Sequence, residues 1–265
     1  MKKTYIGLTC LLFLSLALFV ALSFYGDSLE RWHIKTGSFA RVLRGEADRR
    51  QRPPSPAADS TRAVSQAPGQ DFSQTVDTAR KSILFIGDSM LEGLGPRLAA
   101  YAEENGHTLV NVIWYSSTTE VWGRTEKLKE YIAEYQPDYI FVSLGGNELF
   151  VSNIRDRRQK YLDNMLSQIG DIPFVWIGPP NWKPDTGINE MLAETLRPGQ
   201  FYLSYTPDQH YDRARDGAHP TRASASAWMD RVCAWVMKSA AHRIVLHRPK
   251  AARATCHTVV LAPAK

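Results

Sequence analysis

The chain has 265 residues, of which 44% are hydrophobic, and a formal net charge of +5. This is enough for one ordinary catalytic domain with a full core, plus appendages. Its arginines are scattered near residues 41–62, 155–158 and 243–253, with no basic stripe interleaved with aromatics, so nucleic acid is excluded as a partner.

From the start of the chain, Lys2 and Lys3 precede a nearly uninterrupted apolar run from Tyr5 to Tyr25. Roughly twenty apolar residues suffice to cross a bilayer, with the positive end in the cytoplasm. Residues 1–26 are therefore read as an inner-membrane anchor with the rest of the chain in the periplasm; small residues at Ala21 and Ser23 leave a cleaved signal segment as the alternative. Cys10 falls inside the apolar run and reads as a buried membrane cysteine. Residues 27–79, with Pro53, Pro54, Pro56 and Pro68, read as a flexible linker, in which Ser28–Leu43 could form a short interfacial helix.

Residues 80–241 alternate strand and helix. Strands are expected over Ser82–Ile86, Thr108–Trp114, Tyr139–Leu144, Phe174–Ile177 and Phe201–Ser204. Helices are expected over Met90–Asn105, Thr125–Tyr135, Arg155–Ile169, Ile188–Leu196 and Thr221–Lys238. This alternation implies an α/β fold: a parallel sheet of five strands, covered on both faces, with ligands at the carboxyl ends of the strands. The basic tail, residues 242–265, has no partner in the pattern and is expected to be disordered. Cys233 and Cys256 could pair in an oxidising compartment; simple burial of Cys233 is the alternative.

One stretch organises this domain. Ile83-Leu84-Phe85-Ile86 reads as a strand buried on both faces, and Gly87-Asp88-Ser89 comes next as a turn into a helix. Such a turn exposes Ser89 at the carboxyl edge of the sheet, next to unpaired N–H groups of a helix start. A second Gly-Asp-Ser at Gly26-Asp27-Ser28 has no domain pattern around it and is read as coincidence. Two later blocks separate Ser89 from that copy: Gly145-Gly146-Asn147-Glu148 comes after a strand, and Asp216-Gly217-Ala218-His219 comes before the last helix.

On these three ordered blocks the chain resembles the SGNH (GDSL-type) hydrolase family over about residues 80–240. The resemblance implies a flavodoxin-like three-layer αβα sandwich and a serine ester hydrolase; the seven histidines lack paired ligand spacing and no Gly-rich phosphate loop occurs, so no metal or cofactor is expected. Serine at its ordinary pKa needs a base within hydrogen-bond reach and a third group to orient that base. Ser89, His219 and Asp216 meet this requirement, and Pro220 suits the first position of the following helix. The resemblance also implies an oxyanion hole formed by the Ser89 N–H, a glycine N–H from a second block and the Asn147 side chain, with Gly146 helping its loop approach the nucleophile. Here the chain departs from the family pattern: Tyr115-Ser116-Ser117-Thr118-Thr119 occupies the second block and holds no glycine, so Ser116 or Ser117 would have to donate. Glu148 stands where the family has Asp, and reads as a loop support.

Trp114, Trp182 and Tyr211 lie near the expected catalytic edge and could stack on sugar rings; burial is the alternative for Trp114. With the export segment, these aromatics lead to an expected esterase or acyltransferase acting on O-acetyl groups of a cell-envelope or secreted polysaccharide. Family members of this layout often work beside a membrane-embedded acyltransferase. A lipase or thioesterase, or a catalytically idle polysaccharide-binding factor, are the alternatives.

Overall fold

The computed structural model describes residues 75–263. The apolar Tyr5–Tyr25 run, the Pro-rich linker up to residue 74 and the second Gly-Asp-Ser lie outside the described residues. Among the described residues, no helix is long and apolar enough to cross a membrane.

The order of elements is β1 (Ser82–Gly87), α1 (Leu91–Glu104), β2 (Thr108–Trp114), α2 (Thr119–Gly123), α3 (Lys127–Tyr135), β3 (Tyr139–Ser143), a 3-10 turn (Gly146–Glu148), α4 (Ile154–Ile169), β4 (Phe174–Ile177), α5 (Ile188–Thr195), β5 (Phe201–Tyr202), α6 (Arg222–Ser239) and β6 (His257–Leu261). All strand pairs are parallel, and the sheet order is β5-β4-β3-β1-β2-β6. The first five strands thus have the doubly wound flavodoxin-like order, which reverses at β1 and β3.

Strands buried on both faces read as unbroken apolar runs, and β3 and β4 are buried at every position. Successive side chains alternate between two cores. Ile83, Phe85 and Phe141 pack with Leu94 and Leu98 of α1 and Trp228 and Val232 of α6. Leu84, Ile86 and Val142 pack with Trp122, Leu128, Leu162, Met165 and Leu192 from α2 to α5 on the other face. Helices therefore cover both sides, giving three layers.

The C-terminal tail departs from expectation. Residues 242–263 are not a disordered tail, since they strap the domain and supply the sixth strand, β6, in register with β2 from Val110↔His257 to Trp114↔Leu261. Ile244 and Leu246 are buried. Most anchors are polar groups of the first half of the domain. The buried Arg97 donates to the carbonyls of Ala251 and Ala252 at 2.7 and 3.0 Å, and to Asp230 at 2.6 Å. The His107 ring accepts the Lys81 N–H through Nδ1 at 3.1 Å, so its Nε2–H donates to the Val245 carbonyl at 2.7 Å. Cys233 is buried and Cys256 partly buried, and both are free thiols, so the pairing expected as one alternative does not occur.

Candidate active site

The carboxyl end of β1 sets the site. Gly87 must be glycine, because a Cβ there would lie 2.3 Å from the Ser143 carbonyl oxygen of neighbouring β3. The chain then turns: the Asp88 carboxylate accepts the Met90 N–H at 2.9 Å, and α1 begins at Leu91. Ser89 is left half-exposed between strand and helix.

His219 Nε2 lies 2.7 Å from Ser89 Oγ, and His219 Nδ1 lies 2.8 Å from Asp216 Oδ2. An ionised carboxylate can only accept, so the proton sits on Nδ1 and Nε2 presents its lone pair to the serine hydroxyl. The other Asp216 oxygen accepts the backbone N–H groups of Ala218 and His219, both at 2.9 Å. These bonds, with the His219 ring, hold the Asp216 carboxyl down to about 2.

The triad loop is closed on itself and tied to a neighbour. Ala214 N–H donates to the His219 carbonyl at 2.8 Å. Arg213 donates to the Ala218 carbonyl at 2.8 Å, to that of Asn181 at 3.0 Å and to that of Pro180. Sequence reasoning misses Arg213, because no spacing rule marks an arginine whose partners are carbonyls of a distant loop. Pro220 is not the first helical residue. It forms a bridge with Arg213, and Thr221 caps α6 by accepting the Ser224 N–H at 3.3 Å.

The Asn147 side chain reaches the same edge from the 3-10 turn, which Gly145 enters at φ +118°. Its amide nitrogen donates to the Ser117 carbonyl at 3.0 Å and to Asp88 Oδ2 at 3.3 Å. Gly146 is buried beside Met90 and Asp88, where a Cβ would lie 3.5 and 3.6 Å from them. Beneath the turn, the fully buried Glu148 accepts from the Thr119 hydroxyl at 2.7 Å, the Thr119 N–H at 3.0 Å and Arg158 at 2.8 Å. This is a support clamping the Asn147 turn to α2 and α4.

The second block solves its missing glycine directly. Ser116 adopts φ +59°, the left-handed conformation, with its Cβ in place. Its N–H has no acceptor among the described residues, whereas the Ser117 N–H is taken by the Trp114 carbonyl at 3.1 Å and the Ser117 hydroxyl by Trp122 at 3.0 Å. Of the two serines, Ser116 is the one with a free donor.

The aromatic expectations divide. Tyr211 is buried, its ring edge-on to Trp228 at 5.6 Å and its hydroxyl donating to the Ser204 carbonyl at 2.6 Å, so it is the floor under the triad loop and not a substrate contact. Trp114 is half-buried and packs edge-on to Trp122 at 5.2 Å, against the core on the other face of the sheet. Trp182 stays at the rim. Its indole donates to the Gly146 carbonyl at 2.9 Å, its ring meets the exposed Phe150, and the Lys183 ammonium lies 4.6 Å from its centroid. A groove of about 510 Å³ opens there, between Trp182, Asn189, Leu203 and Tyr205.

Asp88 is 1% exposed, and burial pushes its carboxyl up to about 7, with nearby Glu148 adding to the rise and His219 opposing it. A carboxyl whose folded pKa exceeds its unfolded value favours the fold below the unfolded pKa and loses that contribution as pH rises through the folded one. Thermal stability should therefore decline as pH rises from about 4 to about 7. In Asp88→Asn this slope should flatten, as read by melting temperatures across that range; an unchanged slope would place the titration elsewhere.

No family model matches the chain, and no curated protein matches it in sequence. Among solved structures it is similar to the psychrotrophic esterase EstA from Pseudoalteromonas sp., at 17% identity over 59% of this chain and 97% of that one, with a TM-score of 0.44. It is also similar to TesA, at 19% identity over 59% and 98% of the two chains and a TM-score of 0.45. A lipolytic protein of the G-D-S-L family from Desulfitobacterium hafniense matches at 14% identity over 57% and 97%, with a TM-score of 0.38.

Proposed function

We propose that the chain is a serine ester hydrolase or acyltransferase of the SGNH type. The single observation that carries this reading is the unbroken relay from Asp216 through His219 to Ser89, with contacts of 2.8 and 2.7 Å. In this mechanism Ser89 Oγ attacks the acyl carbonyl carbon while its proton passes to His219 Nε2, and Asp216 stabilises the resulting imidazolium. The carbonyl oxygen becomes an oxyanion held by the Ser89 and Ser116 N–H groups and by Asn147 Nδ2. Collapse expels the alcohol, which takes the proton from His219. Water or a sugar hydroxyl then attacks the acyl-enzyme by the same steps in reverse, giving hydrolysis or transfer.

The substrate we propose is an O-acetylated polysaccharide of the cell envelope or a secreted polymer. Support comes from the aromatic rim at Trp182 and Phe150, which offers apolar faces next to the Gly146–Glu148 turn, and from the apolar Tyr5–Tyr25 run, which suits a periplasmic domain anchored in the inner membrane, where a membrane-embedded acyltransferase could supply acyl groups. The absent second-block glycine is the motive for an idle binding factor, and Ser116 weakens that motive by holding the left-handed conformation without it. The test is incubation of the purified protein with an activated acetyl ester, with and without oligosaccharide acceptors, followed by mass analysis. Acetate release supports hydrolysis and acetylated oligosaccharide supports transfer; neither product would overturn the enzyme reading.

Trp182 has two jobs here, and two variants separate them. Trp182→Phe keeps an apolar ring but drops the N–H bond to Gly146, and should lower turnover of a small acetyl ester by roughly fivefold, the scale of one net hydrogen bond. Trp182→Ala should in addition raise KM for an acetylated oligosaccharide, because stacking reaches only the larger ligand. Steady-state kinetics on both esters check this, and an unchanged oligosaccharide KM in Trp182→Ala would remove the platform role.

A further inference from the structure

A second cavity lies away from the triad, above β2 and β6, between α1 and the C-terminal strap, with a volume of about 510 Å³. Its floor contains an anomaly. Asn111 sits in the middle of β2, on the face shared with Leu109 and Ile113, and is only 3% exposed. A buried amide is normally hydrogen-bonded, yet the Asn111 side chain makes no hydrogen bond among the described residues: Oδ1 is sealed off and unpaired, and Nδ2 is the donor left for an occupant. Helix α1 is shaped around it, since a Cβ on Gly95 would lie 2.6 Å from Asn111 Nδ2. An apolar side chain would fill this space without leaving a polar atom unpaired. The amide therefore makes sense as an anchor for something that enters the groove.

The remaining lining says what could enter. Leu91, Pro96 and Ile113 supply apolar walls. On the strap, the exposed Arg253 guanidinium lines the rim and has no hydrogen bond or ion pair among the described residues. At the end nearest Ser89, the Glu92 carboxylate is already engaged by the Tyr115 hydroxyl. An occupant should thus combine an apolar face, a hydroxyl to meet Asn111 and an anion to meet Arg253. A sugar ring bearing a carboxylate combines all three.

We propose that this groove binds a carboxylate-bearing saccharide unit and forms a second subsite for the polymer, on the opposite side of Ser89 from Trp182. The subsite role rests on the polysaccharide reading above. The sheet order supports the placement: Trp182 comes after β4, two strand spacings or roughly 10 Å to one side of β1, and the groove lies over β2 and β6, one and two spacings to the other side. One chain could cross the carboxyl edge from one to the other with an acyl group presented to Ser89 between them.

Cys256 lines the groove and is a free thiol, which provides an independent reporter. The experiment uses the full chain carrying Ser89→Ala, titrated with oligogalacturonate and with an uncharged glucan oligomer of equal length. Binding is followed by calorimetry and by mass-resolved alkylation of Cys256. Oligogalacturonate should bind and slow Cys256 alkylation, while the glucan should bind at least roughly tenfold more weakly, the scale of one charge-assisted contact. Arg253→Glu, an exposed change that leaves the core alone, and Asn111→Ala should each weaken oligogalacturonate by a similar factor. Equal binding of the two oligomers, unchanged affinity in Arg253→Glu, or full Cys256 reactivity at saturation would overturn the proposal. If the unmutated protein cleaves an activated acetyl ester but oligogalacturonate does not bind, the groove assignment fails alone. If oligogalacturonate binds and protects Cys256 but no ester is cleaved, the hydrolase reading fails and the groove stands as a binding site.

Discussion

Ser89→Ala should reduce turnover of an activated acetyl ester by on the order of 10⁴-fold or more, while Ser28→Ala leaves it unchanged. Triad members act as a unit, so removing the nucleophile removes the covalent route and leaves only what positioning and oxyanion stabilisation supply. The geometry makes the loss specific to chemistry. Ser89 is half-exposed, and among the described residues its side chain bonds only to His219, so alanine deletes one hydroxyl without opening a cavity or stranding a buried group. The melting temperature should therefore be close to that of the parent. Residual turnover within a few fold of the parent, or an equal loss from Ser28→Ala, would refute the nucleophile assignment.

Asn147→Ala should cost on the order of 10²- to 10³-fold in turnover, the range for loss of one oxyanion donor. In the resting site both protons of the Asn147 amide are in use, at 3.0 Å to the Ser117 carbonyl and 3.3 Å to Asp88. The longer contact is the weaker, and it is the one an oxyanion would replace, while the bond to Ser117 keeps the amide aimed. Asn147 hangs from a turn clamped below by Glu148, so its truncation should leave that turn in place. Kinetics together with a thermal melt would check this: normal turnover would show that the charge is stabilised by the backbone N–H groups alone, and a collapsed melting temperature would show that Asn147 is structural.

Much of this site is legible in the sequence because its parts are local. Asp216 and His219 are three residues apart, and the Gly87-Asp88-Ser89 turn is announced by the apolar run before it and the helical spacing after it. The elements expected between residues 82 and 239 lie within a few residues of their observed ends for the same reason: burial on both faces writes β1, β3 and β4 as continuous apolar runs. The short helix Thr119–Gly123 leaves no such mark, being too short for a period to show.

The sequence by itself determined the doubly wound alternation, the strand-to-helix placement of Ser89 and the pairing of His219 with Asp216, because all of these depend on hydrophobic period and short spacing. Only the tertiary structure decided that the basic tail is a sixth strand. That depends on Arg97, Asn105 and His107 finding backbone partners some 140 residues away, and hydrogen bonds to carbonyls leave no trace in the identity of the accepting residue. It also decided which aromatics face the substrate side. Tyr211 and Trp114 are aromatic like Trp182, but whether a ring is buried, packs half-buried against a core or stays at the rim is set by what lies beside it, and those neighbours come from other elements. The free N–H of Ser116 belongs to the same class, since a left-handed serine is indistinguishable in sequence from an ordinary one until the loop is held in place.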